Sequence, residues 1–474
     1  MSLIGQENPS LRERTFVIRN SEVAGRIDPL YYFSVNKLSL VKETKYEVKK
    51  LSEVINMQRG RFGHRPRNDP RFYGGEYPFI QTGDIVKASH TGEKILYSQT
   101  LNELGLKTSR LFSEPVVVIT IAANIGDTAI LNFPSCFPDS LIAMTPKNDM
   151  LGLEYINVYF KFIKSYLGNL APQSAQKNIN YQQLAPVPIV IPPKEVQIDI
   201  VRIYNSAVAL KQEKEREAKE LIDEIDNYLL LEIGLEEPVK DNKLSSRVYT
   251  IQSSEIKGKR IDPDYYKTDY KKKIEKIDKS AFPIVLLSDI TSLVSSGNTP
   301  SSTQYSETET EFPIIKVGSY TKDFINLDKV DFALSPQRLV AKKGDIFILS
   351  AAHQPEYVGR HIKYLSEVPE KNTSYVGELI CIRTNKLCNS MYLFSLLNLD
   401  LFKTLINREK TGQTSHIYGK NLKNLGIPLP NIEKQNEISE NILRLRSQAI
   451  SLQKEANEIL EKVKIQVQKV IIGK

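Results

Sequence analysis

Between positions 58 and 71 the chain reads QRGRFGHRPRNDPR. Arg59, Arg61, Arg65, Arg67 and Arg71 share this segment with one acidic residue, Asp69. Guanidinium forks match phosphate oxygens and the O6/N7 edge of guanine, so the segment has the chemistry of a nucleic-acid contact. Gly60 and Gly63 would let its backbone come close to such a surface. A flexible basic surface loop is the alternative reading. Further polar residues could read bases or simply cap turns. In the first half they are Gln81, Thr82, Asn124, Gln176, Lys177 and Asn178. In the second half they are Ser296, Asn298, Thr299, Lys316, His353, Gln354, Gln413, Ser415 and His416. Gln and Asn can bind adenine N6/N7 bidentately, and the same side chains set turns.

Other chemistries find no footing. The sequence has no phosphate-binding G-x-x-x-x-G-K-[ST], no G-x-G-x-x-G, no G-x-S-x-G and no [DNS]-P-P-[YF] amino-methyltransferase motif. The histidines (His64, His90, His353, His361, His416) lack the spacing of a zinc site. Asp28 and Asp262 each precede a proline, where Asp sets a turn more readily than it serves as a catalyst. This predicts a chain without catalytic residues or a metal.

The elements that must position these residues come in duplicate. GRIDPLYY at 25–32 and KRIDPDYY at 259–266 agree at six of eight positions, at an offset of 234. Further matches follow in order. Leu51-Ser52-Glu53 faces Leu287-Ser288-Asp289, and the segment 77–83 faces 312–318. Ser140-Leu-Ile faces Glu378-Leu-Ile, and Tyr155 faces Tyr392. Ile179, Leu184, Pro192 and Gln197 face Ile417, Leu422, Pro430 and Gln435, with the offset drifting only to 238. A period this long means two copies of one domain. Each copy reads as short strands (116–121, 129–132 and 189–191; then 345–349, 379–383 and 427–429), with a helix near 155–166 and 391–407. A proline-rich exit then leads into a long helix without proline or glycine.

The C-terminal helix carries Ile438, Ile442, Leu445, Ala449, Leu452, Ala456, Ile459, Val463 and Val470 at alternating four- and three-residue steps, with Gln466 in one seam position. This is a coiled-coil seam. The first helix, about 195–233, has Ile200, Ile203, Ala207, Leu210, Lys214, Ala218, Leu221, Ile225 and Tyr228, with a stutter at Lys214. Around it, KQEKERE (211–217) is polar nearly all round. Either this is a solvated face, or Lys211, Lys214 and Glu217 mark a waist where another subunit packs. Connectivity makes the pair antiparallel, each helix about 60 Å long. The expected fold is α+β: two similar globular domains joined by two long antiparallel helices, with approximate internal twofold symmetry.

Composition sets outer bounds. The chain has 474 residues, 41% hydrophobic and 25% charged, as in a globular protein. Three cysteines in this length argue for a reducing compartment. The N-terminal stretch shows no apolar core of a secretory signal, and the longest apolar run, 116–123, is far too short for a bilayer, so a soluble protein is expected. The net charge of +8 suits a nucleic-acid partner.

The duplicated domain, the exits IVIPPKEVQIDI (189–200) and IPLPNIEKQNEI (427–438), and the long helix after each resemble the specificity (S) subunits of type I restriction–modification enzymes. The resemblance spans essentially the whole chain. It implies target recognition domains at 1–193 and 249–431, each reading one half of a split double-stranded DNA site. It implies spacer helices at 194–236 (the family's central conserved region) and 432–474 (its distal one), with a linker at 237–248. The helices would set the unread spacer and bind two methyltransferase subunits, with translocase-nuclease subunits joining through that complex. The S subunit itself would be non-catalytic, cytoplasmic and free of cofactor. S-adenosylmethionine, ATP and Mg would act only on the partner subunits. Two other readings stay open: a DNA-reading subunit of a fused methyltransferase–nuclease system, and a dumbbell adaptor that binds no nucleic acid.

Overall fold

The computed structural model describes residues 39–64, 66–171, 178–236, 248–256, 260–369, 371–412 and 415–473. The first RIDP copy, Arg65, Gln176, Lys177 and Gln413 lie outside the described residues. The chain divides into two compact units, one up to Arg216 together with the stretch from Leu452 onward, the other spanning Glu217–Ser451.

The first unit has the strands β1 (Glu47–Lys50), β2 (Ile55–Arg59), β3 (Val116–Thr120), β4 (Thr128–Leu131), β5 (Leu141–Pro146) and β6 (Pro188–Ile191), with runs of β-branched residues in β3 and β6. β2, β5, β3 and β4 make an antiparallel sheet in that order, and β1 pairs with β6. β3, VVVIT, is buried on both faces because helices cover it. Those helices are α1 (Thr82–Thr91) and α2 (Leu153–Leu170). The long α3 (Lys194–Glu232) begins where the proline-rich exit ends.

The second unit repeats the plan with β7 (Ile284–Leu286), β8 (Thr291–Ser296), β9 (Ile346–Leu349), β10 (Ile362–Tyr364), β11 (Leu379–Thr384) and β12 (Gly426–Pro428). β8, β11, β9 and β10 form the equivalent antiparallel sheet, and β7 pairs with β12. The helical stretch expected over 391–407 is two helices, α4 (Ser390–Asn398) and α5 (Asp400–Arg408). Leu399 breaks it: its backbone is extended (ψ 142) and its side chain is fully buried. The long α6 (Ile432–Ile472) follows. The segments 77–83 and 312–318 enter alike and then diverge. The first opens the ten-residue α1, and the second only a single helical turn, Val317–Ser319.

The sequence matches turn out to be hydrogen-bond scaffolding. Leu51 N–H and Ser52 N–H donate to the carbonyls of Val187 and Ala185; Leu287 and Ser288 donate to Leu425 and Lys423. Glu53 accepts from Lys50 N–H and Asp289 from Leu286 N–H, both at 3.2 Å. Buried Gln197 gives its amide N–H to Met150 and Pro192 carbonyls and accepts from Gly152 N–H. Gln435 does the same with Leu387, Pro430 and Asn389. Each glutamine thus locks a long helix to the loop before its domain's own helix. Truncating Gln435 to Ala strands buried backbone groups, and an orphaned group costs about 1–3 kcal/mol. A loss of about 2–3 kcal/mol is expected in denaturant unfolding, against no measurable change for the exposed neighbour Glu433→Ala.

Within each unit a stretch of α3 lies antiparallel to a stretch of α6. In the first, Ile200 shares a core with Val467 and Ile471, and Lys214 Nζ sits 3.2 Å from Glu455. In the second, Tyr228 OH accepts from Asn441 at 3.0 Å, and Glu232 pairs with Lys434 at 2.7 Å. Two seam positions differ from the expected ones. Gln466 is exposed, and the seam runs through Val467 and Ile471 in consecutive four-residue steps. Leu210 is 44% exposed, while the neighbouring Lys211 lays its stem inward, with its side chain only 15% exposed.

Candidate nucleic-acid interface

One end of each four-stranded sheet gathers the polar loops. In the first unit β2 and β3 end there, and β4 and β5 begin there. Beyond the strands, Ile121 N–H donates to Ser140 O (3.1 Å) and Ile179 N–H to Ile121 O (2.9 Å). The second unit repeats this, with Ser350 N–H to Glu378 O (2.8 Å) and Ile417 N–H to Ser350 O (3.0 Å). Gly60 N–H donates to Leu141 O and Arg61 N–H to Phe137 O; their counterparts Gly297 and Asn298 donate to Leu379 O and Tyr375 O.

This geometry corrects the expected role of Gly60. A Cβ there would lie 2.4 Å from Pro138 O, and at Gly297 2.0 Å from Tyr375 O. The close approach is to the domain's own backbone, not to an outside surface. Gly63 has only an ordinary neighbour at 3.6 Å. The two glycines fix where the polar loop leaves its sheet.

The first unit brings its described candidates together. Arg59 Nε donates to Asp139 O at 2.5 Å, and Arg67 reaches the Asp139 carboxylate at 2.5 Å. Arg67 stays 47% exposed. Arg61 is exposed, anchored through its backbone. Arg71 instead forks onto Asp69, and its guanidinium holds that carboxyl well below the usual carboxylate range. Thr82 Oγ1 meets Ser140 Oγ at 2.9 Å, next to Asp139. Gln81 precedes α1: its N–H goes to Asp84 and its amide N–H to Gln99. Asn124 and Asn178 are exposed on the adjoining loops, Asn178 bridged to Ala122.

In the second unit Ser296 ends β8. Asn298 donates to Gln337 at 2.7 Å, and Thr299 Oγ1 donates to Glu378 while accepting from Gly377 N–H. His353 and Gln354 are exposed in the loop after β9, where Gln354 O opens a turn. His416 closes a tight loop by bonding Thr411 in both directions, with Ser415 before it in left-handed backbone (φ 50). Lys316 stands apart as a rim pair. Its ammonium is 2.6 Å from Asp331 and lies over the Tyr305 ring, and the Asp331 hydrogen bond raises its pKa.

The duplicated R-I-D-P motif, visible in the second copy, behaves as a turn and a brace. Asp262 accepts from Tyr265 N–H. Arg260 donates to the Arg408 and Lys410 carbonyls, and the guanidinium groups of Arg260 and Arg408 both lie over the Tyr265 ring. The loop 411–416 begins where this brace ends. Lys211 and Lys214 lie away from these loops, their tips on Glu215 and Glu455; Glu217 is half-buried on α3. The site roles missed in the sequence are those of the carboxylates Asp139 and Glu378. Asp139 precedes the Ser140-Leu-Ile/Glu378-Leu-Ile match and Glu378 opens its second copy, but only folding brings them to the arginines and to Thr299.

A family model described as the type I restriction modification DNA specificity domain matches this chain twice, at residues 43–222 and 279–462. The chain belongs to that family. Among solved structures, the S subunit of a type I restriction–modification system from M. genitalium is similar at 14% identity, covering 90% of this chain and 96% of that one, with a TM-score of 0.47. A structure from work on complex assembly and conformational transition of the type I R-M system is similar at 16% identity, covering 90% and 96%, with a TM-score of 0.50. The protein is a type I restriction–modification specificity subunit built from two copies of the recognition domain. Among the described residues, no helix is long and apolar enough to cross a membrane.

Proposed function

We propose that each unit reads one half of a bipartite double-stranded DNA site with the loops at the strand ends of its four-stranded sheet. One observation carries this. The same backbone hydrogen bonds hold the loops in both units, yet the side chains they present differ: arginines in the first, hydroxyls, amides and imidazoles in the second. Shared scaffolding with different chemistry is what two different half-sites require. The long helices set the unread spacer and dock two methyltransferase subunits, and translocase-nuclease subunits join through that assembly. The chain supplies recognition and no catalytic group. S-adenosylmethionine, ATP and Mg belong to its partners, and the complex works in the cytoplasm, where the DNA is. Lys211 and Lys214 are taken up by pairing within the protein, so the docking contribution of this stretch falls to the outward residues around Glu217.

The experiment is a salt titration of DNA binding by the assembled methyltransferase complex. Replacing Arg59, Arg61 and Arg67 by Ala should weaken binding and shrink the log–log salt slope by about 0.9 for each phosphate no longer neutralised. Unchanged affinity and slope would show a solvated loop.

A further inference from the structure

Asp127 and His361 occupy equivalent positions in the two units. Thr120 N–H donates to Asp127 O at 2.9 Å, and Leu349 N–H to His361 O at 3.0 Å. The next residues, Thr128 and Ile362, pair with Ile119 and Ile348. Each position follows a glycine in left-handed backbone, Gly126 (φ 88) or Gly359 (φ 75). Arg360 is an extra residue between Gly359 and His361.

The first unit closes this corner with a carboxylate. Asp127 is buried, and one of its oxygens accepts from Ser89 (2.9 Å) and Lys164 (2.6 Å) and meets His90 (3.1 Å). Lys161 adds bonds to Ser89 Oγ and Thr128 O. Burial pulls the Lys161 ammonium down to about 8, and Asp127 resists that pull.

At the equivalent position the second unit carries an imidazole in place of the carboxylate. Arg360, His361, Lys363, Lys403 and Lys410 gather there, and among the described residues none has a carboxylate within ion-pair distance. Lys363 donates to the Lys322 carbonyl and lies over the Tyr320 ring, and Lys410 donates to the Pro355 carbonyl. Two of the acids facing the corner are held elsewhere, Asp323 by Arg446 at 2.6 Å and Asp400 by Lys273 at 3.5 Å. The others are Asp226 on α3 and Glu356. Burial, then the neighbouring cations, lowers the pKa of His361; burial also lowers Lys363, Lys403 and Lys410. Arg360 and Lys410 open onto a cavity of about 620 Å³ that also touches Thr411, Gly412 and Ser415, in the candidate reading loop. Of the three acids that line it, Asp262 and Asp264 are paired with Arg260 and Lys267, and Glu356 is the third.

We propose that this corner is a phosphate site for the DNA backbone beside the half-site read by the second unit, a contact the first unit lacks. Arg360 and His361 lie at the same strand ends as the base-reading candidates, and Arg360 and Lys410 share a cavity with their loop, which favours duplex phosphates over an acidic protein face. The inference rests on the half-site reading above.

The test uses the assembled complex. Arg360→Gln with Lys403→Gln should lower the salt slope by about 1.8, two phosphate contacts' worth, and leave the methylated consensus unchanged. His361→Asp, importing the first unit's solution, should lower the slope in the same sense. For the unaltered protein, methylphosphonate linkages flanking the second half-site should weaken binding, while those flanking the first at the equivalent place should not. This arm does not depend on any variant folding. An unchanged slope together with indifference to the methylphosphonates would overturn the proposal. So would loss of methyltransferase assembly at an unchanged slope, which would assign the corner to an acidic protein face. If the unaltered complex shows no sequence-specific DNA binding, it is the half-site reading that fails.

Discussion

Asp345→Ala should destabilise the second unit by about 3–5 kcal/mol, the cost of removing one partner of a buried ion pair. Asp345 is completely buried and accepts from Arg383 Nε and Nη2 and from Lys342 N–H, each at 2.7 Å. Arg383 closes the pair with a bond to Val340 O. These contacts tie the start of β9 to the far end of β11, opposite the reading loops. Removal leaves a guanidinium that is only 24% exposed without its anion. Asp345→Asn keeps the shape and should cost less. The readout is thiol alkylation. Cys381 is fully buried and Cys388 nearly so; burial pushes the Cys388 thiol up to about 12 and Cys381 well above its ordinary value. Both should be inert in the native protein and react far faster in Asp345→Ala, through opening of the unit. Cys136, in the first unit, is the internal control and should stay slow. Equal protection of all three in the variant would show that the pair does not hold the sheet.

Much of this architecture is legible in the sequence because duplication turns weak local signals into matched pairs. Leu51/Leu287, Tyr155/Tyr392 and Gln197/Gln435 look unremarkable singly. Their common offset marks them as scaffold, and in the fold they are buried or bonded alike. The six strands expected from their apolar, β-branched composition are found within a residue or two of those bounds, while the strands at 47–50, 55–59, 141–146, 284–286, 291–296 and 362–364 are not singled out by it. The helix seams are less legible. Leu210 against Lys211, and Gln466 against Val467, are decided by which stem packs on the facing helix, which hydropathy does not report. Leu399 ends a helix without proline or glycine, so nothing local announces the break. The candidate site was legible as a set of polar loops but not as a place. Asp139 and Glu378 lie next to a strand match, and their arginine and threonine partners are some 80 residues away in sequence. Gly60 shows the opposite error: a glycine beside arginines suggests an external contact, while the fold needs it for an internal crossing.

The central claim is that the two units read separate halves of one site. Specific protein–DNA binding typically exceeds non-specific binding by about 10³–10⁷, and removing a base-reading side chain relaxes discrimination by about 1–3 kcal/mol. The residues to change are those the fold gathers at one sheet end and leaves accessible. In the second unit these are Asn298, Thr299, His353 and His416; in the first, Arg59, Arg61, Arg67 and Asn124. Each set, replaced by Ala, would be assembled with the methyltransferase subunits, and the methylated sites mapped across a genome by sequencing. The account predicts that each variant keeps one half of the consensus and the spacer intact while the other half becomes degenerate, with the two variants relaxing opposite halves. If both halves relax together in either variant, or if both stay sharp while affinity alone falls, the two units do not divide the site as stated.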